Sequence, residues 1–220
     1  MREPVVVIDY YTDLLCVWAY VAQVRVDELQ REFGSRVDLR YHFISLFGDT
    51  PQRFGAHKAG GFDDYADHVQ KVVAGFDHVQ LHPDVWRRVR PCSSLPAHLV
   101  LEAVRLLEDQ PPQSVPDLAW RLRCAFFRDG EDISRQAVLR RHVEAAGLPY
   151  AAIAERIDNG MAFCLLARDM NEQRERGIEG SPTFLMNEGR QKLYGNLGYE
   201  AIAANVRELL TRHSDLPAWC

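Results

Sequence analysis

The stretch that decides the fold is GIEGSPTF, residues 177–184. Pro182 has no N–H to donate to a sheet ladder, so it must begin or bound the strand that follows it. The Ser181–Pro182 bond is a candidate cis peptide, which would bring the Ser181 backbone towards an opposite loop. An ordinary proline at the start of an edge strand is the alternative interpretation. Taken alone, the stretch favours that alternative; combined with a second segment, it becomes specific.

The second segment is DLLCVWAY, residues 13–20, where a predicted strand gives way to a predicted helix. Residues 5–9 are apolar and mostly β-branched, which is typical of a buried strand. Apolar residues keep helical spacing over residues 17–33, and Gly34 supplies the stop. Cys16 therefore precedes the first turn of a helix, where free N–H groups and the helix dipole favour negative charge. We expect its pKa to lie below the free-thiol value of about 8.5.

The neighbours of this cysteine suggest a site and restrict its chemistry. Trp18 is expected to form one wall of a substrate groove. Ala19 stands where a second cysteine would complete a C-x-x-C pair. The alternative interpretation is that Cys16 is only a packed residue at the end of the strand.

The rest of the chain predicts a mixed sheet interrupted by helices. Residues 37–43 alternate apolar and polar side chains, which predicts a strand parallel to the first because a helix connects the two. Residues 46–165 contain no clear strand pattern and carry 3.6-residue periodicities, which predict four to six helices. After one more helix, residues 183–186 and 191–194 predict a hairpin. Residues 199–212 predict a closing amphipathic helix.

Composition favours a cytoplasmic protein that binds neither nucleic acid nor a membrane. The chain has 220 residues, of which 47% are hydrophobic, and a formal net charge of -5 with both signs interspersed. Such a chain lacks the clusters of Lys and Arg that bind nucleic acid or anchor a protein to a membrane surface. Its apolar runs are too short to span a bilayer, and its first residues lack the pattern of a signal peptide.

The cysteines and histidines give no pattern of a metal site, and none is expected. The cysteine number is odd, so free thiols in a reducing compartment are expected. Cys124 and Cys164 lie within helical apolar patterns and are expected to be buried. The five cysteines are Cys16, Cys92, Cys124, Cys164 and Cys220.

Four segments in order resemble the DsbA-like branch of the thioredoxin superfamily. That branch includes disulfide oxidoreductases, kappa-class glutathione transferases and 2-hydroxychromene-2-carboxylate isomerases. The segments are VVVIDYYTDLLCVWAYV (5–21), RPCSSLPAHLVLEA (90–103), GEDISRQAVLRRHVEAAGL (130–148) and RERGIEGSPTFLMN (174–187). The resemblance implies an α/β thioredoxin-like fold with a helical insertion domain. Residues 1–45 and 168–220 would form the thioredoxin-like domain, and residues 46–167 the inserted helical domain.

The resemblance also implies which residues form the site. Cys16 takes the nucleophile position and Pro182 that of the cis-proline. The Ser181 backbone would pair with a thiol-bearing substrate such as glutathione or a peptide. A hydrogen-bonding, acid–base or helix-packing role is open to His98. The residues expected to bind the substrate or thiol are Trp18, Ser93, Ser94, His98, Ser181, Pro182 and Thr183.

This chain departs from the family pattern at several positions. Ala19 excludes a self-contained dithiol cycle, so a mixed disulfide at Cys16 would need an outside thiol to resolve it. The transferases and isomerases of the branch usually carry serine at the nucleophile position. Ser93 stands where asparagine is usual, and Leu99 where arginine is usual. A non-local pair between Cys16 and Cys92 is a less favoured alternative.

Three functions follow as hypotheses. The first is a thiol-dependent oxidoreductase with a monothiol site, in which Cys16 attacks and an external thiol completes the turnover. The second is a glutathione-dependent isomerase or transferase acting on a small conjugated substrate. The third is a non-enzymatic binding module. No tightly bound cofactor is expected, glutathione or another low-molecular-weight thiol is the candidate partner, and a homodimer is left open.

Overall fold

One mixed four-stranded sheet forms the centre of the molecule. The computed structural model describes residues 5–55 and 60–211. The sheet has the order β2-β1-β3-β4, with β1 parallel to β2 and antiparallel to β3, and β3 antiparallel to β4. The predicted parallel pair and hairpin are confirmed. The strands are β1 (Val6–Thr12), β2 (Val37–Phe43), β3 (Thr183–Met186) and β4 (Gln191–Tyr194).

Helices fill the sequence between the two halves of the sheet, as the periodicity predicts. Six of them begin and end between residues 46 and 165, so the predicted α/β architecture with inserted helices is confirmed. The exact domain boundaries stay a prediction. No helix among the described residues has the length and apolar character needed to cross a membrane. The helices are α1 (Val17–Phe33), α2 (Thr50–Phe54), α3 (Gly61–Val73), α4 (Leu95–Arg105), α5 (Ser114–Phe127), α6 (Gln136–Ala145), α7 (Tyr150–Asp158), α8 (Met161–Glu175) and α9 (Tyr199–Thr211).

Two local expectations need correction. The first strand continues to Thr12, three residues beyond its predicted end, because Tyr10, Tyr11 and Thr12 are all fully buried despite their polar groups. Cys164 is exposed, since α8 turns Ala162, Leu166 and Asp169 inwards instead. Residue 212 of the predicted last helix and Cys220 lie outside the described residues.

Aromatic side chains join the strands to one another and to the inserted helices. Tyr10 in β1 contacts Phe184 in β3, with ring centroids 4.8 Å apart. Phe43 at the end of β2 stacks on His98 of α4 at 5.4 Å. Each large side chain buried in this way contributes about 1.5–3 kcal/mol relative to an exposed position. The strand ends and the start of α4 are therefore fixed against one another, and these are the ends that carry the candidate site.

His42 in β2 links three elements through ion pairs. Its Nδ1 lies 2.9 Å from the Asp169 carboxylate of α8, and its Nε2 lies 3.2 Å from that of Asp9 in β1. Burial alone would lower the pKa of His42, but hydrogen bonds to the two carboxylates outweigh it and raise the pKa to about 9. His42, Asp169 and Glu172 form a group whose potential metal-ligand atoms lie within 4.8 Å of one another. Both ring nitrogens of His42 are already engaged, so the group acts as an ion-pair network.

Replacing His42 with asparagine is expected to lower the free energy of unfolding at pH 7 by about 3 kcal/mol, because it removes the hydrogen-bonded cation that Asp9 and Asp169 share. The folded-state pKa lies above the unfolded value of about 6.5, so the contribution is complete below pH 6.5 and is lost as pH rises through 9. Urea unfolding at pH 6, 7 and 10 measures this. The two proteins should converge at pH 10, with the exposed His68→Asn variant as control. A difference that stays constant with pH would contradict the assignment.

Candidate active site around Cys16

A tight turn carries the chain from β1 into α1 and places Cys16 at the start of the helix. Cys16 is the N-cap residue of α1, with an extended backbone. Its N–H donates to the Asp13 carbonyl at 3.2 Å, and its own carbonyl accepts from the Tyr20 N–H at 3.1 Å. The first N–H groups of α1 therefore point towards the cysteine side chain, as the sequence predicts.

The Cys16 sulfur lies against the segment 177–184. Its S–H donates to the Ser181 carbonyl, with sulfur and oxygen 3.1 Å apart. The Ser181–Pro182 peptide bond is cis, and both residues are buried. Two segments separated by 165 positions thus meet at the thiol. This contact joins residues 13–16, the cysteine turn, to residues 177–182, the proline loop.

The pKa of Cys16 differs from the expectation. The side chain is only 5% exposed, and this burial raises the pKa of the thiol. The contact with Ser181 and the N–H groups of Ala19 and Trp18 act in the opposite direction, and the Asp13 carboxylate adds to the increase. The predicted lowering is wrong, because loss of hydration outweighs the helix N-terminus.

Asp13 organises the surroundings of the cysteine turn. Its carboxylate is fully buried and accepts four hydrogen bonds. Oδ1 accepts from the N–H of Leu15 at 2.9 Å. Oδ2 accepts from the N–H groups of Leu46 and Phe47, each at 3.0 Å, and from the Ser94 hydroxyl at 2.9 Å. One side chain therefore ties the cysteine turn to the loop after β2 and to the start of α4.

Ser94 and His98 reach the cysteine turn from α4. The Ser94 hydroxyl donates to Asp13, while His98 Nε2 accepts from the Leu14 N–H at 3.2 Å. Burial lowers the pKa of His98, which keeps the ring neutral at pH 7. Since Nε2 is an acceptor, the ring proton sits on Nδ1. His98 acts here as a hydrogen-bond acceptor that fixes the turn.

Two of the remaining predicted residues, Ser93 and Thr183, make hydrogen bonds within their own segments. The Ser93 hydroxyl accepts from the Leu95 N–H at 3.0 Å, at the start of α4. Thr183 Oγ1 donates to the Gly180 carbonyl at 2.8 Å, within the proline loop. Trp18 is 36% exposed, so it presents an aromatic surface beside the start of α1. The substrate contacts expected for these residues stay a prediction.

An aromatic surface next to the sulfur escaped the sequence analysis. Burial raises the pKa of Tyr65 in α3, and the negative charge of an ionised Cys16 would add to the increase. Its ring stacks on Phe54 at 4.4 Å and on His68 at 5.7 Å. His68 in turn meets the ring of Trp18 at 6.2 Å. Helical spacing indicated α3 but could not show that His68 on this helix lies against the ring of Trp18.

Cys92 is an exposed free thiol, whereas Cys16 is a buried one. Its carbonyl accepts from the Thr50 N–H at 3.1 Å, which fixes the backbone just before Ser93. Neither thiol forms a disulfide in this structure, and pairing of Cys92 with Cys16 stays the less favoured alternative.

Comparisons with known proteins agree with this fold. A model of the DSBA-like thioredoxin domain family matches residues 7–207. No match was found among curated proteins.

Solved structures show the same fold at low sequence identity. A candidate protein disulfide isomerase from Nitrosomonas europaea is 18% identical with a TM-score of 0.74, covering 94% of this chain and 96% of the other. The cytosolic disulfide reductase DsbM from Pseudomonas aeruginosa is 21% identical with a TM-score of 0.69, covering 92% and 99%, and was also solved with GSH. A 2-hydroxychromene-2-carboxylate isomerase is 15% identical with a TM-score of 0.66, covering 92% and 95%. These likenesses extend over nearly the whole chain.

Proposed function

The chain belongs to the DSBA-like thioredoxin family, and on this premise we propose that it is a monothiol disulfide reductase with Cys16 as its nucleophile. The contact between Cys16 Sγ and the Ser181 carbonyl carries this proposal, because it sets the thiol against the backbone on which an extended thiol-bearing substrate would align. Ala19 leaves the adjacent resolving position without a thiol. The second thiol of the cycle is therefore a small molecule such as glutathione.

The reaction has two exchange steps. The Cys16 thiolate attacks one sulfur of a substrate disulfide, forms a mixed disulfide and expels the other sulfur as a thiolate. The proton released by Cys16 ends on that leaving group. An external thiol then attacks the substrate sulfur bound to Cys16, forms a new disulfide with it and releases Cys16, which takes up the proton of the attacking thiol. A second external thiol exchanges with that new disulfide, so two external thiols supply the two electrons and both substrate sulfurs leave as thiols.

Burial of the sulfur favours reduction over oxidation as the direction of the exchange. An apolar environment disfavours the charged thiolate and tolerates a neutral thiol or mixed disulfide. Strong oxidants of the thioredoxin superfamily depend on a thiol whose pKa is strongly lowered, whereas burial raises the pKa of Cys16. A Cys16 thiolate is more basic, so it is a stronger nucleophile once formed. These properties support a site that accepts a sulfur from a disulfide.

A cytoplasmic location and glutathione as the partner are parts of the same proposal. The four cysteines of the described residues are all free thiols, which suits a reducing compartment. The cytosolic reductase from Pseudomonas aeruginosa, solved with GSH, supports both at the level of a shared fold.

Oxidised glutathione tests the proposal in a Cys92→Ser, Cys164→Ser background, which removes the exposed thiols of the described residues. Intact mass and peptide mapping should find one glutathione on Cys16, and reduced glutathione should remove it. The rate of adduct formation should keep rising above pH 9, because the raised pKa of Cys16 means that the thiolate forms only at higher pH. An unmodified Cys16 after prolonged incubation at pH 9 would refute the monothiol cycle.

A glutathione-dependent isomerase or transferase is the second candidate. The aromatic surface of Trp18, His68 and Tyr65 beside the sulfur favours it, because flat conjugated molecules stack on such rings. Bound glutathione would then add to the substrate and leave after bond rotation. Cys16 would position the bound thiol, for which a neutral side chain suffices.

A further inference from the structure

Arg123 of α5 is a buried cation behind the cysteine turn. Its side chain is fully buried, although arginine rarely is unless a carboxylate pairs with it. The guanidinium donates to Thr12 Oγ1, to the Asp13 carbonyl at 3.4 Å and to Gln23 Oε1 at 3.5 Å. These three acceptors are neutral oxygens, so contact with them does not cancel the positive charge. A buried charge of this kind calls for a counter-charge nearby.

Two short paths connect the guanidinium to Cys16. The Asp13 carbonyl that accepts from Arg123 also accepts from the Cys16 N–H, at 3.2 Å. On the other side, Thr12 Oγ1 lies 3.5 Å from the Ser181 hydroxyl, and the Ser181 carbonyl accepts from Cys16 Sγ at 3.1 Å. Arg123 thus contacts the cysteine turn directly and reaches the proline loop through Thr12.

The charges around this turn balance only while Cys16 is a neutral thiol. The buried Asp13 carboxylate accepts from backbone N–H groups and one hydroxyl, all of them neutral donors. The Arg123 guanidinium therefore contacts the backbone carbonyl of the same residue, Asp13, whose side chain carries the opposite charge. When Cys16 ionises, a second negative charge enters the same buried region, and Arg123 is the cation in contact with the turn that carries both.

We propose that Arg123 is a positioning residue of the thiol site, which holds the turn before Cys16 and supplies the positive charge that stabilises the thiolate. This rests on the proposed function, in which Cys16 reacts as a thiolate. The inserted helices then contribute to the chemistry as well as to the shape of the site. Titratable groups on other elements interact electrostatically with Arg123 or Cys16: Tyr10, Tyr41, Tyr65 and His98. On α5 itself Cys124 also interacts with Arg123, and Asp27 of α1 interacts with Tyr10 and Tyr41.

The pH dependence of Cys16 alkylation by iodoacetamide tests this without any disulfide substrate. The variants are Arg123→Gln, which keeps a donor and removes the charge, and Arg123→Lys, which keeps the charge. Arg121→Met, at an exposed position of the same helix, is the control. All carry Cys92→Ser and Cys164→Ser, and peptide mapping assigns the adduct to Cys16.

Arg123→Gln should move the midpoint of the alkylation profile upward by about one pH unit, a tenfold lower rate at pH 8. Arg123→Lys and Arg121→Met should keep the midpoint within half that shift. A wild-type midpoint in a folded Arg123→Gln protein would overturn the proposal. Should that variant not fold, an Arg123→Lys midpoint a full unit higher would overturn it equally, and an unchanged midpoint would support it. Alkylation by iodoacetamide does not depend on glutathione turnover. The role of Arg123 and the glutathione cycle can therefore be refuted separately.

Discussion

Replacing Cys16 with serine is expected to lower the rate of disulfide reduction about a thousandfold or more, with little change in the free energy of unfolding. A hydroxyl has nearly the same shape, can still donate to the Ser181 carbonyl, and does not form a disulfide. Loss of a nucleophile removes the whole covalent route, not one contribution to it. A coupled assay that follows oxidation of reduced glutathione by a small disulfide measures the loss. Cys92→Ser is the matched control, since that thiol is exposed and should be dispensable.

The same variant separates the two candidate functions. In the reductase, Cys16→Ser removes both the mixed disulfide and the turnover. In the isomerase or transferase, the variant still turns over a conjugated substrate with glutathione, because a hydroxyl there can orient the bound thiol. Full reductase activity in Cys16→Ser would show that another thiol is the nucleophile. The exposed Cys92, one residue before the segment that binds Asp13 through Ser94, would then be the first to replace.

Local signals in the sequence were sufficient to predict the two halves of the site. Pro182 after a glycine-containing loop, and Cys16 between an apolar strand and a helix, each depend on a few neighbouring residues. Strand and helix limits at Val17–Phe33 and Val37–Phe43 follow from the same short-range patterns. The structure places these segments in contact, as the family resemblance implies.

Properties that depend on packing between distant segments could not be predicted. The burial that raises the pKa of Cys16 involves the proline loop and inserted helices, which the local sequence around the cysteine does not reveal. The helix carrying Cys164 is apolar on several sides, so its pattern does not show which side faces the core. Arg123 lies in an ordinary amphipathic pattern, and only the fold reveals its contact with Thr12. A polar residue at a buried position is a weak sequence signal, because its partners come from elsewhere in the chain.

Asp13→Asn is expected to lower the free energy of unfolding by about 3–5 kcal/mol while making Cys16 more reactive. Four donors converge on the two carboxylate oxygens, one from the same turn and three from segments 33 to 81 positions away. An amide has only one oxygen to offer them. The amide NH2 would face at least one backbone N–H, so a buried donor is left without an acceptor. The substitution also leaves the Arg123 charge without Asp13 as its counter-charge. Both changes destabilise the folded state.

The effect on the thiol has the opposite direction. Since the Asp13 carboxylate contributes to the raised pKa of Cys16, its removal lowers that pKa and speeds alkylation at pH 8. Urea unfolding and the alkylation profile of one protein sample therefore give two independent results. Asp49→Asn is the matched control: Asp49 caps α2 at the surface by accepting from the Gln52 N–H, so about 1 kcal/mol and no change at Cys16 are expected. An Asp13→Asn protein as stable as the wild type, or one with slower alkylation, would contradict the central place of Asp13 in this site.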